Sequence, residues 1–306
     1  MPVFSPSSSQ ALLIANLFGF VLIVCAAILL LVTSLVCYSA WRFRSRPNQP
    51  EPAQKFGVKN FEIAWTIAPI VLLAVIFVFT LRTTYGSDPP ANSQPDLVVT
   101  GQQWWWEARY PQAGFETANE IHVPAGKPMT VSILGGDVIH DFWVPQLSRK
   151  IDAIPGYPNR LVLRVDQPGT YFGACAEFCG AQHAWMRFRV VVDSPSDFET
   201  WQEHEAANAA TPSIGPAADG SRLFQQLTCV KCHAVRGTDA AAKVGPDLTH
   251  FAGRQRFAAE LLENTPANVT RWLTDPQALK PGCHMPNMQL TTAQIEPLVA
   301  YLETLQ

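Results

Sequence analysis

Cys175-Ala-Glu-Phe-Cys179-Gly-Ala-Gln-His183-Ala-Trp-Met186 decides how this chain is read, together with His140 thirty-five residues upstream. Two thiolates, two imidazoles and a thioether form a soft ligand set suited to copper. Two Cys four positions apart on a tight loop bring both sulfurs within reach of two metal ions. One His for each ion and weak axial ligands complete two near-equivalent sites. Such a centre suits electron transfer, because one electron spread over two ions in a rigid cage demands little structural change on reduction. Other chemistries compete for the same residues. A Cys-x-x-x-Cys pair alone reads as a disulfide in an oxidising compartment. Tetrahedral zinc accepts Cys₂His₂, but Met186 would then be superfluous. Met186 or His140 taken singly is an ordinary core residue. Five soft ligands in one β-rich region favour dinuclear copper.

That region runs from Pro95 to about Val192. Short β-branched or alternating runs recur in it at Leu97–Thr100, Met129–Leu134, Leu161–Val165 and Phe188–Val192, separated by Pro, Gly, Asn and Asp. This is the pattern of an all-β sandwich or barrel, assigned to residues 95–193. Residues 194–218, rich in Ala, Ser, Pro, Glu and Gly, read as a linker with a short helix around Phe198–Ala207. From Asp219 the pattern turns helical, and Ile295, Leu298, Val299, Tyr301 and Leu302 make one apolar face of a closing helix.

Within residues 219–306 lies Cys229-Val-Lys-Cys232-His233, the attachment pattern of a c-type haem. Thioethers from Cys229 and Cys232 hold the haem, and His233 is placed to ligate its iron. Cys-x-x-Cys alone also serves redox or zinc chemistry, but the adjacent His and the lack of a second Cys pair argue against both. Lys280-Pro-Gly-Cys-His-Met285-Pro286 supplies the sixth ligand, Met285, with His284 and Met288 as rivals. Methionine ligation raises the potential. Gly245-Pro246-Asp247-Leu248 resembles the segment supporting the His face in small cytochromes c, and Trp272 is expected near a propionate. Cys283 is read as a packed or free thiol.

Before the β region no charged residue precedes Arg42, and Leu12–Tyr38 is nearly all apolar. A second apolar run, Ile63–Leu81, lies between Glu62 and Arg82. Both are long enough to span a bilayer, so residues 1–86 read as a transmembrane hairpin with spans of about 12–38 and 63–81. A cleaved signal peptide is the rival for the first run, but it requires basic residues ahead of the apolar core. Arg42, Arg44, Arg46, Lys55 and Lys59 lie between the spans, opposed chiefly by Glu51. The positive-inside rule puts this loop in the cytoplasm, and both termini and both metal domains outside the bacterial plasma membrane. Ser87–Gln94 is a polar, Pro-rich tether. A net charge of -3 gives no reason to expect nucleic acid. Membrane lipid is the expected surround.

Glu62-Ile-Ala-Trp65-Thr66, Gly101-Gln-Gln-Trp104-Trp105-Trp106, Asp137-Val-Ile-His140, Asp152-Ala-Ile-Pro155-Gly156 and the cysteine loop stand in the same order in cytochrome c oxidase subunit II. The chain resembles that family over roughly residues 10–193, followed by a small all-α domain similar to class I cytochromes c. The resemblance implies a cupredoxin-like barrel or sandwich and two copper ions ligated by His140, Cys175, Cys179, His183, Met186 and the Glu177 carbonyl. It also implies a Glu177 side chain facing magnesium at the boundary with subunit I, and Trp104 as the point where electrons come in. Glu62 is similar to the carboxylate at the mouth of a proton-uptake path; packing tryptophans and an interfacial carboxylate are the plainer readings. Tyr157 and Asp141 depart from the family, which often has Arg and Ser there.

The expected function is the electron-input arm of a respiratory terminal oxidase, partnered by subunit I and by subunit III. An external donor, cytochrome c or the quinol–cytochrome c reductase, reduces haem c. Haem c reduces copper, and copper passes electrons to haem in subunit I, where oxygen is reduced and protons are pumped. A nitric oxide reductase partner is the alternative that keeps the redox role. A membrane-anchored copper chaperone or sensor is the alternative of another class.

Overall fold

The computed structural model describes residues 4–47, 53, 56–85 and 94–306. Most of the tether expected at Ser87–Gln94 lies outside the described residues, as do Glu51 and Lys55.

Helices α1 (Ser9–Arg42) and α2 (Lys59–Tyr85) contain the two expected spans and extend beyond each. Ile23, Leu29 and Leu31 on α1, and Ile63, Leu73 and Phe77 on α2, are all exposed. A helix apolar on every face belongs in a protein core or in lipid, and neither apolar stretch is buried by described residues. Phe20 meets Phe79 at 5.6 Å between ring centres. Glu62 sits in the first turn of α2.

The β region forms ten strands: β1 (Leu97–Gln102), β2 (Trp105–Tyr110), β3 (Phe115–Ala118), β4 (Glu120–Pro124), β5 (Met129–Gly135), β6 (His140–Trp143), β7 (Ile151–Ala153), β8 (Asn159–Leu163), β9 (Gly169–Cys175) and β10 (Arg187–Asp193). They make two five-stranded sheets, ordered β3-β2-β1-β5-β8 and β4-β10-β9-β6-β7. The strand expected at Leu161–Val165 starts and ends two residues earlier, because Val165 leaves the ladder and bridges Ser8 instead. Trp106, Phe142 and Phe188 are fully buried between the sheets, their ring centres 4.7–5.6 Å apart. Each such side chain contributes about 1.5–3 kcal/mol by leaving water. The N-terminal residues are stitched to the same domain: Ser7 N donates to Gln146 O at 2.8 Å and Ser8 Oγ to Leu147 O at 2.5 Å.

The segment read as a linker carries the short helix expected around Phe198–Ala207. Helix α3 (Pro195–Ala206) starts on Ser194, whose hydroxyl accepts from Asp197 N. Phe198 is buried against the sandwich, and Trp201 stacks on His122 at 4.1 Å and 11°. Helix α4 (Gly215–Gln226) begins inside the same segment, four residues before Asp219. The helical domain then adds β11 (Arg256–Phe257), β12 (Leu262–Glu263), α5 (Pro266–Thr274), α6 (Pro276–Leu279) and α7 (Thr292–Leu302). The expected face of α7 is buried at all five positions.

His122 lies under Trp201 with Nδ1 at 2.6 Å from Asp193 and Nε2 at 3.5 Å from Glu120. Burial pushes its pKa down, but the two carboxylates outweigh burial and leave it raised. A raised histidine stabilises the fold fully below its unfolded pKa of about 6.5 and loses that contribution as pH climbs through the folded value. The melting temperature is therefore expected to fall as pH rises from mildly acidic to mildly alkaline. In His122→Gln the slope should be smaller; an unchanged slope would assign the effect to another group.

Sandwich and helical domain pack as one compact unit. Arg189 on β10 crosses between them: Nε and Nη2 donate to Glu260 at 3.0 and 2.6 Å, and Nη1 to Gln255 Oε1 at 2.6 Å. Lys243 pairs with Glu116 at 2.9 Å. Lys280, buried, donates to Ala258 O at 3.2 Å and reaches Trp185 O of the sandwich at 3.5 Å.

Candidate functional site

The copper candidates come from three neighbouring pieces of one sheet. His140 opens β6, Cys175 closes β9, and Cys179, His183 and Met186 follow on the loop into β10. β6 and β9 pair directly, with Phe142 opposite Cys175, which is how a His thirty-five residues away reaches the loop. Cys175 Sγ lies 3.8 Å from Cys179 Sγ, 3.9 Å from His140 Nδ1 and 3.1 Å from Glu177 O. Cys179 Sγ lies 3.6 Å from His183 Nδ1 and 3.8 Å from Met186 Sδ. His140, Cys175, Cys179 and Met186 are buried, and His183 is half-buried. The structure thus brings all six predicted donors together. The two thiols are too far apart to be a disulfide, and both are free.

Proximity splits the two thiols electrostatically. The sulfur–sulfur contact with Cys179 holds the Cys175 thiol well below its ordinary value. The same contact, with burial, pushes Cys179 up. Metal binding at this pair would release the protons that its thiols still hold. His140 Nε2 is 2.8 Å from Asp137 Oδ1, which leaves Nδ1 facing the sulfurs. Asp137 also accepts from Gln103 N at 2.7 Å. A carboxylate behind a ligand imidazole fixes its ring and raises its basicity. Gly101 makes room for this ring: a Cβ there would lie 2.9 Å from the His140 ring atoms.

Asp137 and Gln103 have supporting roles that the sequence reading missed. The Asp137-x-x-His140 spacing was their available signal, since it sets a carboxylate beside the imidazole. Gln103 Nε2 and Trp104 Nε1 both donate to Cys179 O, at 2.7 and 2.9 Å, so Trp104 touches the backbone of a ligand. Glu177 is exposed, with Oε1 accepting from Phe178 N at 3.0 Å. It borders a surface recess with Asp141, Lys150 and Asp152. Asp141 has a pKa raised to about 7 by burial and by its hydrogen bond with Asp152. Tyr157 is exposed.

The haem candidates are assembled around the turn after α4. Cys229 lies in a one-turn helix (Thr228–Lys231) and Cys232 just past it. His233 Nδ1 donates to Pro246 O at 2.7 Å, so the expected Gly245-Pro246 support is present and Nε2 is left as the candidate donor. Burial lowers the His233 pKa and keeps the ring neutral. Gly245 lies flat against this ring, where a Cβ would come within 2.7 Å. Leu227, Val230, Leu248, Trp272, Met285 and Leu290 remain only half-buried around the domain core. An apolar wall this incomplete, beside two free thiols and a pre-set imidazole, fits a haem.

Met285 packs against the same domain core, with its Sδ 3.1 Å from Trp272 Nε1. His284 faces the sandwich and packs on Trp104 at 4.7 Å, while Met288 sits by Thr228 at 3.7 Å. Cys283 is a free, half-buried thiol accepting from Gln277 Nε2 at 3.2 Å.

Two membrane-spanning helices, a cupredoxin-like sandwich with a soft-ligand cluster and a helical domain carrying Cys-x-x-Cys-His define a membrane-anchored electron-transfer protein. Family models agree along the chain: the transmembrane domain of cytochrome c oxidase subunit II matches residues 3–83, its periplasmic domain residues 113–194, and cytochrome c residues 217–306. The chain belongs to the cytochrome c oxidase subunit 2 family. It is 35% identical to cytochrome c oxidase subunit 2 of Alkalihalophilus pseudofirmus, over 98% of this chain and 90% of that one. The Bacillus sp. PS3 protein of the same name is 33% identical, over 86% and 80%. A crystal structure of the periplasmic domain of cytochrome oxidase subunit II from Bradyrhizobium japonicum matches 37% of this chain and 95% of that one, at 34% identity and a TM-score of 0.35. The two soluble family domains imply a copper centre and haem c, and the chain is a member of an oxidoreductase complex that includes subunit I.

Proposed function

We propose that this chain is the electron-input arm of a respiratory terminal oxidase. Electrons from an external donor enter the helical domain, cross to the copper domain and continue to haem in subunit I, where oxygen is reduced to water with proton pumping. Cys229 and Cys232 would attach haem c, and His233 and Met285 would ligate its iron. His140, Cys175, Cys179, His183, Met186 and the Glu177 carbonyl would hold two copper ions. When bound, the haem supplies a one-electron carrier of raised potential and the copper pair a second carrier with little rearrangement.

One observation carries this reading: the Met285 loop is seated on the cysteine loop. Gln182 Nε2 donates to Pro281 O, Lys280 reaches Trp185 O, and His284 lies against Trp104, whose indole N–H bonds Cys179 O. Covalent and hydrogen-bonded steps thus join Met285 to Cys179 with a single through-space gap, from His284 to Trp104. The N-terminal contacts with Gln146 and Leu147 support a shared side for the N-terminus and both metal domains, as two spans require. Arg42, Arg44, Arg46 and Lys59 between the spans support the periplasmic side. Glu177, with Asp141 and Asp152, is offered to magnesium and subunit I, and Glu62 at the cytoplasmic end of α2 to proton uptake.

The test follows electrons inside the loaded chain. After rapid photoreduction of the haem, its reoxidation should match copper reduction, and both should slow several-fold in His284→Ala and Trp104→Leu. Unchanged rates in both variants would remove the route. Co-purification with a haem-copper core is expected; a haem/non-haem-iron core would instead assign nitric oxide reduction.

A further inference from the structure

Away from the ligands already described, one more group of donor side chains converges. His204 and Glu205 lie in the last turn of α3, and His250 lies in the helical domain. One donor atom from each falls within 4.8 Å of the others, and the two imidazole centres are 4.8 Å apart. Glu205 and His250 are buried, whereas His204 is exposed.

The hydrogen bonds around them are unbalanced. His250 Nδ1 lies 2.5 Å from Gln306 O and Nε2 3.1 Å from Ala207 O. Both partners are acceptors, so a neutral ring can satisfy only one. With Nδ1–H donating to Gln306 O, the Nε2 lone pair faces a carbonyl oxygen and needs a positive charge between them. Beside it is the Glu205 side chain, in a residue only 7% exposed and with no hydrogen-bond partner for its carboxylate among the described residues. Ala207 O belongs to the C-terminal end of α3, the negative end of the helix dipole. Arg236 already serves the neighbouring carbonyls, Glu205 O at 2.6 Å and Ala206 O at 3.4 Å. Arg254 is the opposing charge that acts most strongly on Glu205; its Nη2 donates to Asp247 O at 2.6 Å and its Nε has no partner among the described residues.

We propose that His204, Glu205 and His250 form a divalent transition-metal site, best matched by zinc, that ties α3 to the helical domain. Two imidazoles, one carboxylate and a water make an ordinary zinc set. The Nδ1–H bond to Gln306 O is the backing that ligating histidines use. Because α3 is seated on the sandwich through Trp201 and His122, an ion here would fix the helical domain against the sandwich.

The test uses the full chain, loaded with copper and haem and freed of any histidine tag. Competition with a chromophoric chelator should find one zinc per chain. Zinc-edge absorption should report two imidazoles and oxygens at about 2.0–2.1 Å. Zinc should raise the melting temperature. His204→Ala, at an exposed position, should weaken binding at least about tenfold and abolish the rise in melting temperature, and Glu205→Gln should do the same. Binding no tighter than in His204→Ala would overturn the proposal and leave His250 as an imidazolium clip. Sulfur in the zinc shell would also overturn it, by assigning the ion to a cysteine.

Discussion

Cys175→Ser is expected to abolish the paired copper centre while leaving the fold and the haem in place. Cys175 Sγ is the donor nearest the Glu177 carbonyl and reaches both Cys179 and His140, so its loss unlinks the two ions. Serine keeps the size of the side chain but offers a hard, protonated oxygen in place of a soft thiolate. The retained Cys179, His183 and Met186 make a mononuclear site at best. Metal analysis should fall from two coppers per chain to one or none, and electron paramagnetic resonance should lose the signature of one electron shared by two nuclei. Haem absorption should not change, because Cys229, Cys232 and His233 lie in another domain. A mononuclear signal from the unaltered chain would refute the dinuclear assignment.

The second large effect concerns the clasp between the domains. Side chains of Arg189 and Glu260 are 4% and 6% exposed, so Arg189→Leu strands a buried carboxylate. Breaking a buried pair on one side costs about 3–5 kcal/mol. Glu120, 3.9 Å from Arg189, would lose a neighbour as well. The loop that presents Glu260 adds to the effect. Ala258, Ala259 and Glu260 all have positive φ, at 53°, 59° and 68°, an arrangement costing on the order of 1–3 kcal/mol per residue. Released from Arg189, this loop should relax and loosen the Met285 loop that Lys280 ties to it through Ala258 O. Arg189→Leu should therefore lower the denaturation midpoint and slow haem-to-copper transfer together. Adding Glu260→Gln should restore much of the stability, since both charges are then gone. Single and double variants of equal stability would show that the pair is not coupled.

The candidate donors were legible because metal chemistry imposes its own spacing. Cys229-x-x-Cys232-His233 and the cysteine loop are local patterns, and α7 announces its buried face by period. Fold was legible where strands are long, as at β1, β5 and β10. Short strands such as β6 and β7, paired across the His140 ring, carry no comparable pattern. Helix α3 was foreseen around Phe198–Ala207, but its anchoring on the sandwich through Phe198 and Trp201, one helical turn apart, left no trace in a composition dominated by Ala, Ser and Pro. Contacts between distant residues had no local trace. Nothing near Arg189 in sequence points to Glu260 seventy-one residues later, and His284, considered as an axial ligand, packs on Trp104 instead.

That packing bears on kinetics under the proposed function. With His284 resting on the indole, a diffusing donor no longer has to find the copper side by collision. The handover becomes unimolecular, set by the local concentration of a tethered partner rather than by its abundance. Search and orientation are paid for once, at folding. The rate constant for refilling the copper side should then be independent of donor concentration, and donor scarcity should act only through the fraction of the haem domain that is reduced.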